Sequence, residues 1–251
     1  ERLSSHLAMS GGGQARLHFY ISVPEDRPVG VDAAQLEDLI SSLLRTWSDK
    51  LRDELAESVS PEDALELAGF YRHAFSAEYR AATDPDIAAK DALHLEGMRA
   101  DGHEISIQFT NRSSSSSVAG IRGATELKVY LLGERLILSD FMPILEDVGL
   151  RVVAANPYAV QLPNESGTIY IFAVQDQDKR QLSVGSRGTL LAETILASRS
   201  GDAVSDSLNA LVLSAGLHWR EVDVLRGYLG YAFQIGAVPS RVSIRAALIQ
   251  H

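Results

Sequence analysis

Residues 126–175 constrain the fold more than any other stretch, because the spacing of apolar residues changes there from that of a strand to that of a helix and back. Leu127, Val129 and Leu131 alternate with Lys128 and Tyr130, a period of two. Phe141, Ile144, Leu145 and Val148 then recur at i, i+3, i+4 and i+7, one apolar stripe on a helix. Pro143 has no N–H to donate and is comfortable only in a first turn, which predicts a helix capped by Asp140 rather than Ser139. Gly149 is placed to close that helix in the left-handed conformation. Leu150 to Ala154 and Tyr158 to Leu162 read as one interrupted strand or two. A turn over Asn164 to Gly167 then leads to an antiparallel return over Thr168 to Gln175. The expectation is an α+β module, an antiparallel sheet with its helices on one face.

The rest of the chain divides around this module into a first segment 1–30, a helical segment 31–100, the module 101–200 and a second helical segment 201–251. Residues 1–13, Ser-rich and ending in Gly11-Gly12-Gly13, predict a mobile loop, and Arg16 to Val23 a strand with no local partner before it, as in the remnant of a preceding module. A phosphate cradle needs a helix after the glycines, and a strand follows instead. Val31 to Glu57 predicts one long helix with Leu36, Leu39, Leu43 and Trp47 on a face. Ser60 caps a second helix carrying Leu65, Ala68, Tyr71 and Phe75, and Asp84-Pro85 opens a third to about Leu95. Glu104 to Phe109 alternates as an edge strand, and the serines 113–117 make the loop of a long hairpin to strand 127–132. That places an added strand beside the module's first one, a rearranged ferredoxin-like order. Thr189 to Ser198 predicts the second helix of the sheet layer. Residues 203–236 read as helix broken near Gly216, with Trp219, Tyr228 and Tyr231 as an aromatic packing surface, and Pro239-Ser240 opens a last helix.

The runs LKVYLLGERLILSDFMPILEDVGLRVVAANPYAV (127–160) and LNALVLSAGLHWREVDVLRGYLGYAFQ (208–234) resemble the large bacterial NAD-specific glutamate dehydrogenases, and the resemblance extends over most of the chain. It implies a non-catalytic region ahead of the catalytic domains, built of ACT-like modules joined by helical segments. It also implies NAD as the cofactor of the parent enzyme and none in this region, with other subunits of a homo-oligomer as partners. The parent reaction would convert L-glutamate, NAD and water to 2-oxoglutarate, ammonium and NADH. The lysine- and glycine-rich segments that bind glutamate and nicotinamide in that family have no counterpart here. The alternative is a free-standing amino-acid-sensing or protein-interaction module.

The same resemblance singles out the loop from Gly133 to Asp140, including Glu134 and Ser139, as the place where such modules meet a neighbour and hold an amino-acid effector. The acid–Pro–Gly turn typical of ligand-binding members is missing, and Asp140 has a structural role as a cap. Tyr130, Leu132, Tyr170 and Phe172 are expected on a sheet face that the module's own helices leave open, to be covered by the helical segments of this chain or by another module's sheet, with an oligomer interface the favoured reading. His94, Asp101, His103 and Glu104 are close in sequence, but no helix or hairpin fixes them as metal ligands. A net charge of −10 argues against a nucleic-acid partner, and the absence of cysteine excludes disulfides and thiolate metal sites. No apolar run approaches the roughly 20 residues that span a bilayer, and the expected location is the cytoplasm.

Overall fold

The computed structural model describes residues 3–9, 15–21, 32, 34–37, 39, 45–111, 117–118, 120–133 and 135–236, in two units divided between Thr46 and Trp47. In the first unit β1 (Leu3–Met9) pairs antiparallel with β2 (Ala15–Ile21), Leu3 opposite Ile21 and Met9 opposite Ala15. The strand that the sequence left without a partner therefore has one, in residues read as a mobile loop. Gly11 to Gly13 lie outside the described residues. Residues 34–37 are helical, and Asp32 Oδ1 accepts from the Ala34 N–H at 3.0 Å. The expected single helix over 31–57 is broken, since Arg45 and Thr46 are not helical. Threonine is favoured immediately before a helix start, and the next helix begins at Trp47.

The second unit opens with α1 (Trp47–Leu55), α2 (Pro61–Ala74), α3 (Ala77–Ala82) and α4 (Pro85–Asp101). Ser60 and Ser76 cap α2 and α3, each hydroxyl accepting the N–H three residues on at 3.2 Å. Tyr71, Phe75 and Tyr79 stack in sequence, with centroids 4.9 and 4.4 Å apart, and Trp47 meets Phe75 edge-on. Leu65, expected on this inner face, is exposed. The third predicted helix runs past Leu95 to Asp101.

Four strands form the main sheet: β3 (Ile105–Thr110), β6 (Thr125–Leu132), β7 (Arg151–Gln161) and β8 (Ser166–Gln175). Their order is β3-β6-β8-β7, antiparallel throughout, with the short ladder β4 (Ser117–Val118) and β5 (Ile121–Arg122) between β3 and β6 in the chain. The added strand β3 does flank β6, which is the rearranged order expected. The two segments 150–154 and 158–162 are one strand with a bulge between Val152 and Ala154, and Pro157 is tolerated because β7 is an edge.

Helices α5 (Leu138–Asp147) and α6 (Arg187–Ser200) cover one face of this sheet. A 3₁₀ turn (Ser207–Asn209), α7 (Ala210–Ala215) and α8 (Trp219–Gln234) pack outside them, with the break at Gly216. The other face is covered by α1 to α4. The result is three layers: the face that the module's own helices leave open is covered by the helical segment of this chain rather than by another module. Leu127, Val129, Leu131, Phe172 and Val174 face the α5/α6 core, while Tyr130, Leu132, Ile169 and Ile171 face the α1–α4 core. The expected interface group is thus split, Tyr130 and Leu132 on one side and Tyr170 and Phe172 on the other. The antiparallel register sets Tyr170 opposite Val129, not beside Tyr130. Tyr130, Leu132 and Phe172 are buried by helices of the same chain and are unavailable to another subunit.

Two local expectations also change. Helix α5 begins at Leu138, so Asp140 lies within its first turn and Pro143 in its interior. Leu136 and Phe141, both buried in the sheet core, anchor the chain on either side of this start, and packing outweighs the proline's preference for a first turn. Along α8, Val222, Leu225 and Leu229 turn inward, whereas Tyr228 and Tyr231 are exposed rather than packed. Residues 237–251, including the predicted last helix, lie outside the described ones.

Candidate functional site

The loop that leaves β6 turns at Gly133, whose φ of +75° is unfavourable for any residue with a Cβ. Leu136 then drops into the core and Ile137 stays exposed before α5 begins. The last turn of α6 approaches from the side and brings Arg199. Between them opens a cleft of about 530 Å³ lined by Arg135, Ile137, Asp140, Phe141, Ile144 and Arg199. It combines two guanidinium groups, one carboxylate and an apolar wall. Chemically this suits a small zwitterion: cationic donors for a carboxylate and an acid for an ammonium group. Asp140 is exposed at the mouth, and Ser139 Oγ reaches its Oδ1 at 3.2 Å. Gly133 and Ser139 belong to the loop and first turn but do not line the cleft, and Glu134 lies outside the described residues.

A second polar site was missed by sequence reasoning. Asp91 of α4 is 2% exposed and sits under the even-numbered residues of β6. Lys128 Nζ lies 2.7 Å from both of its carboxylate oxygens, and the Tyr130 hydroxyl donates to Oδ1 at 2.7 Å. The Tyr79 hydroxyl donates to Oδ2, and Glu126 Oε1 stands 3.7 Å from Lys128. Beside this group, His94 accepts at Nδ1 from the Gln108 amide, 3.0 Å away, so its proton is on Nε2, which faces Ser106 Oγ at 2.9 Å. Burial, together with Asp91, pushes the Tyr130 and Tyr79 hydroxyls well above the ordinary phenol value. Burial also holds His94 below its usual 6.5; Asp91 opposes that shift and Lys128 reinforces it. Every member is tied to another, so the cluster is a satisfied buried network that fixes α4 to the sheet. Its only sequence signals are a lone acid in the small-residue run IAAKDAL and a Glu and Lys in an otherwise apolar strand.

His94, Asp101 and His103 line another open cleft with Ile105 and Ile107, but they do not converge on a point. Among the described residues no group of three or more His, Asp and Glu could hold a metal ion, and no helix is long and apolar enough to cross a membrane.

Known proteins place this architecture. Three family models match in tandem: glutamate dehydrogenase helical motif 2 over residues 54–98, the glutamate dehydrogenase ACT3 domain over 106–186 and helical motif 3 over 203–251. The ACT3 match begins on β3 and runs through β8, so it covers the four-stranded sheet, and the flanking motifs correspond to α2–α4 and to α7 with α8. The NAD-specific glutamate dehydrogenase of Halomonas elongata is 30% identical over 94% of this chain, and that of Pseudomonas aeruginosa 29% over 88%. The Mycobacterium tuberculosis protein of the same name is 28% identical over the whole chain. This chain spans only 14% of the first relative's length and 13% of the second's. With three consecutive segments of one family in order, the chain belongs to the glutamate dehydrogenase family, of which it carries the helical motif 2, ACT3 and helical motif 3 region.

Proposed function

We propose that this chain is a non-catalytic regulatory and assembly region of a large NAD-dependent glutamate dehydrogenase. The whole enzyme would oxidise L-glutamate with NAD and water to 2-oxoglutarate, ammonium and NADH in domains outside this region. The observation that carries the reading is the tandem of family segments, an ACT3 module between two helical motifs. The matched segments support binding and assembly as the role, which we place in a cytoplasmic homo-oligomer.

Within this reading the Arg135–Asp140–Arg199 cleft is the effector site. An amino acid would set its carboxylate against the guanidinium groups and its ammonium against Asp140. Gly133 and Ser139 would shape the loop rather than contact the ligand directly. Regulation then requires that the effector favour one of two states of the whole enzyme. The alternative, a free-standing sensing module, would use the same cleft with no catalytic domain to inform.

Thermal unfolding against a panel of amino acids tests the site. A ligand present at a hundredfold excess over its dissociation constant stabilises the folded form by about 2.7 kcal/mol and raises the midpoint. Arg135→Gln and Asp140→Asn should abolish that rise. If no amino acid shifts the midpoint at millimolar concentration, the sensing role falls and the assembly role alone is left. Glutamate-dependent reduction of NAD by this chain alone would overturn the non-catalytic reading.

A further inference from the structure

A row of polar side chains runs from solvent to the buried acid of α4. His94 Nε2 faces Ser106 Oγ at 2.9 Å, and its Nδ1 accepts from Gln108 Nε2 at 3.0 Å. The other end of the same amide, Gln108 Oε1, lies 3.3 Å from the Tyr130 hydroxyl, which donates to Asp91 Oδ1 at 2.7 Å. The row therefore joins an open cleft of about 390 Å³ between α4 and β3 to a carboxylate that is 2% exposed. Its two contacts with Gln108 are unequal. A tyrosine hydroxyl has one hydrogen, and Asp91, charged and closer, holds it. The Gln108 carbonyl keeps only the weak arm of a forked bond. Turned over by half a turn about its last bond, the amide would instead offer its NH2 to the Tyr130 oxygen, which can accept as well as donate. The turned amide also points its oxygen at Nδ1, where a ring protonated only on Nε2 has no hydrogen to give. An imidazolium does have one there, because both of its nitrogens donate. In the unturned orientation the same imidazolium would meet the NH2 donor to donor. The neutral ring thus suits one orientation of the amide and the charged ring the other.

We infer that Gln108 is a proton-driven switch: when a proton from the cleft binds His94 Nδ1, the side-chain amide turns over, so that Oε1 accepts from the ring and Nε2 donates to the Tyr130 hydroxyl. Only the Nδ1–H bond is made, and the contact of Nε2 with Ser106 is kept in both states. Gln108 is exposed, so its amide has room to turn, and half-buried His94 lines the cleft through which the proton arrives. The ring is set among charges that largely offset one another. Asp91 of its own helix favours the cation and Lys128 of β6 opposes it. Tyr130 of β6 stacks at 4.5 Å, Lys90 and Asp101 are exposed on α4, His103 lies across the cleft, and α6 contributes Leu196. Burial sets the transition on the acid side of the usual 6.5. A hydroxyl that accepts a hydrogen bond donates more strongly, so the turned amide tightens the hold of Tyr130 on Asp91. The protonation state of the cleft is in this way registered at the acid that fixes α4 to the sheet. The device lies apart from the Arg135–Asp140–Arg199 cleft and stands or falls without it.

The test is an NMR titration of the full ¹⁵N-labelled chain, from neutral pH down to the onset of acid unfolding. At neutral pH the Gln108 amide protons should show their strong cross-relaxation to the His94 ring. As the ring titrates, that contact should pass to the Tyr130 ring, and the Gln108 Nε2 shift should follow the same midpoint as the His94 nitrogens. Amide protons that stay on His94 throughout overturn the proposal. So does an imidazolium that swings into the cleft and loses Ser106, or a ring that never titrates while the chain is folded. Tyr130→Phe supplies a second readout, because it keeps the ring and removes only the oxygen that receives the turned amide. It should lower the His94 midpoint by about half a pH unit, roughly threefold in proton affinity. Loss of a donor to Asp91 acts in the opposite direction, leaving that carboxylate more attractive to a cation, so a fall has no other source in this network. An unchanged or raised midpoint in the folded variant overturns the switch. If the variant does not fold, the wild-type spectra decide alone.

Discussion

Asp91 is the residue whose removal should cost this fold most. Lys128 and two tyrosines converge on it inside the protein, and its loss would leave an ammonium group buried, with Glu126 3.7 Å away as its nearest remaining acid. Breaking a buried pair from one side is typically worth about 3–5 kcal/mol, far more than a surface pair. Asp91→Ala should therefore lower the unfolding free energy read from urea titration by that amount, whereas Arg180→Ala, whose partner Asp178 is exposed, should change it little. His94 gives a pH signature. Its folded-state pKa lies below 6.5 because burial disfavours the charged ring. The unfolded chain therefore takes up the proton first as pH falls, and this contribution to stability is lost below about pH 6.5. Melting curves from pH 7.5 to 5 should show that loss, and His94→Gln should flatten it. A slope that is the same in both proteins would remove His94 from the account.

At the scale of elements, the stop of α5 is the clearest case of local chemistry setting geometry. Leu150 N–H reaches the Leu145 carbonyl at 3.0 Å and Gly149 N–H the Glu146 carbonyl at 2.9 Å, the paired bonds of a Schellman ending. Gly149 has φ of +86°, and an added Cβ would lie 3.4 Å from the Ala210 Cβ of α7. Gly149→Ala should cost about 1–2 kcal/mol in denaturant unfolding through left-handed strain, with some displacement of α7. This ending was legible because glycine after an apolar stripe has few other uses. The start of the same helix was not, because Leu136 and Phe141 pull it three residues earlier through contacts with strands that local spacing does not reveal.

For the whole second unit, the three-layer arrangement explains why helical motif 2 and the ACT3 module belong together. Both faces of β6 are buried, one under α5 and α6 and one under α4, so the module's sheet is completed by helices that precede it in the chain. The corollary is that the described part of this unit, residues 47–236, should unfold as one cooperative transition. Cutting before Ile105 would expose the α1–α4 face of the sheet and yield an aggregating fragment. Limited proteolysis followed by calorimetry of the products checks this, and a soluble, cooperatively folded fragment beginning at Ile105 would contradict it.

The sequence by itself determined the strands of the main sheet and the helices that cover it, though not β1 or the break before Trp47, because burial on one side of an element imposes its period on neighbouring residues. Through two long resembling runs, it also pointed to the family. Tertiary structure alone decided what each face meets. Tyr130 and Tyr170 look equivalent in their strands, yet the pairing register sends one to the α1–α4 core and the other to the α5/α6 core. Lys128 reads as a solvated charge until Asp91, from a helix 37 residues earlier, closes over it. Arg135 and Arg199 share a cleft only because α5 and α6 lie side by side on the sheet. Partners so far apart leave no periodic trace, because the chain between them can vary in length and path without changing what finally touches.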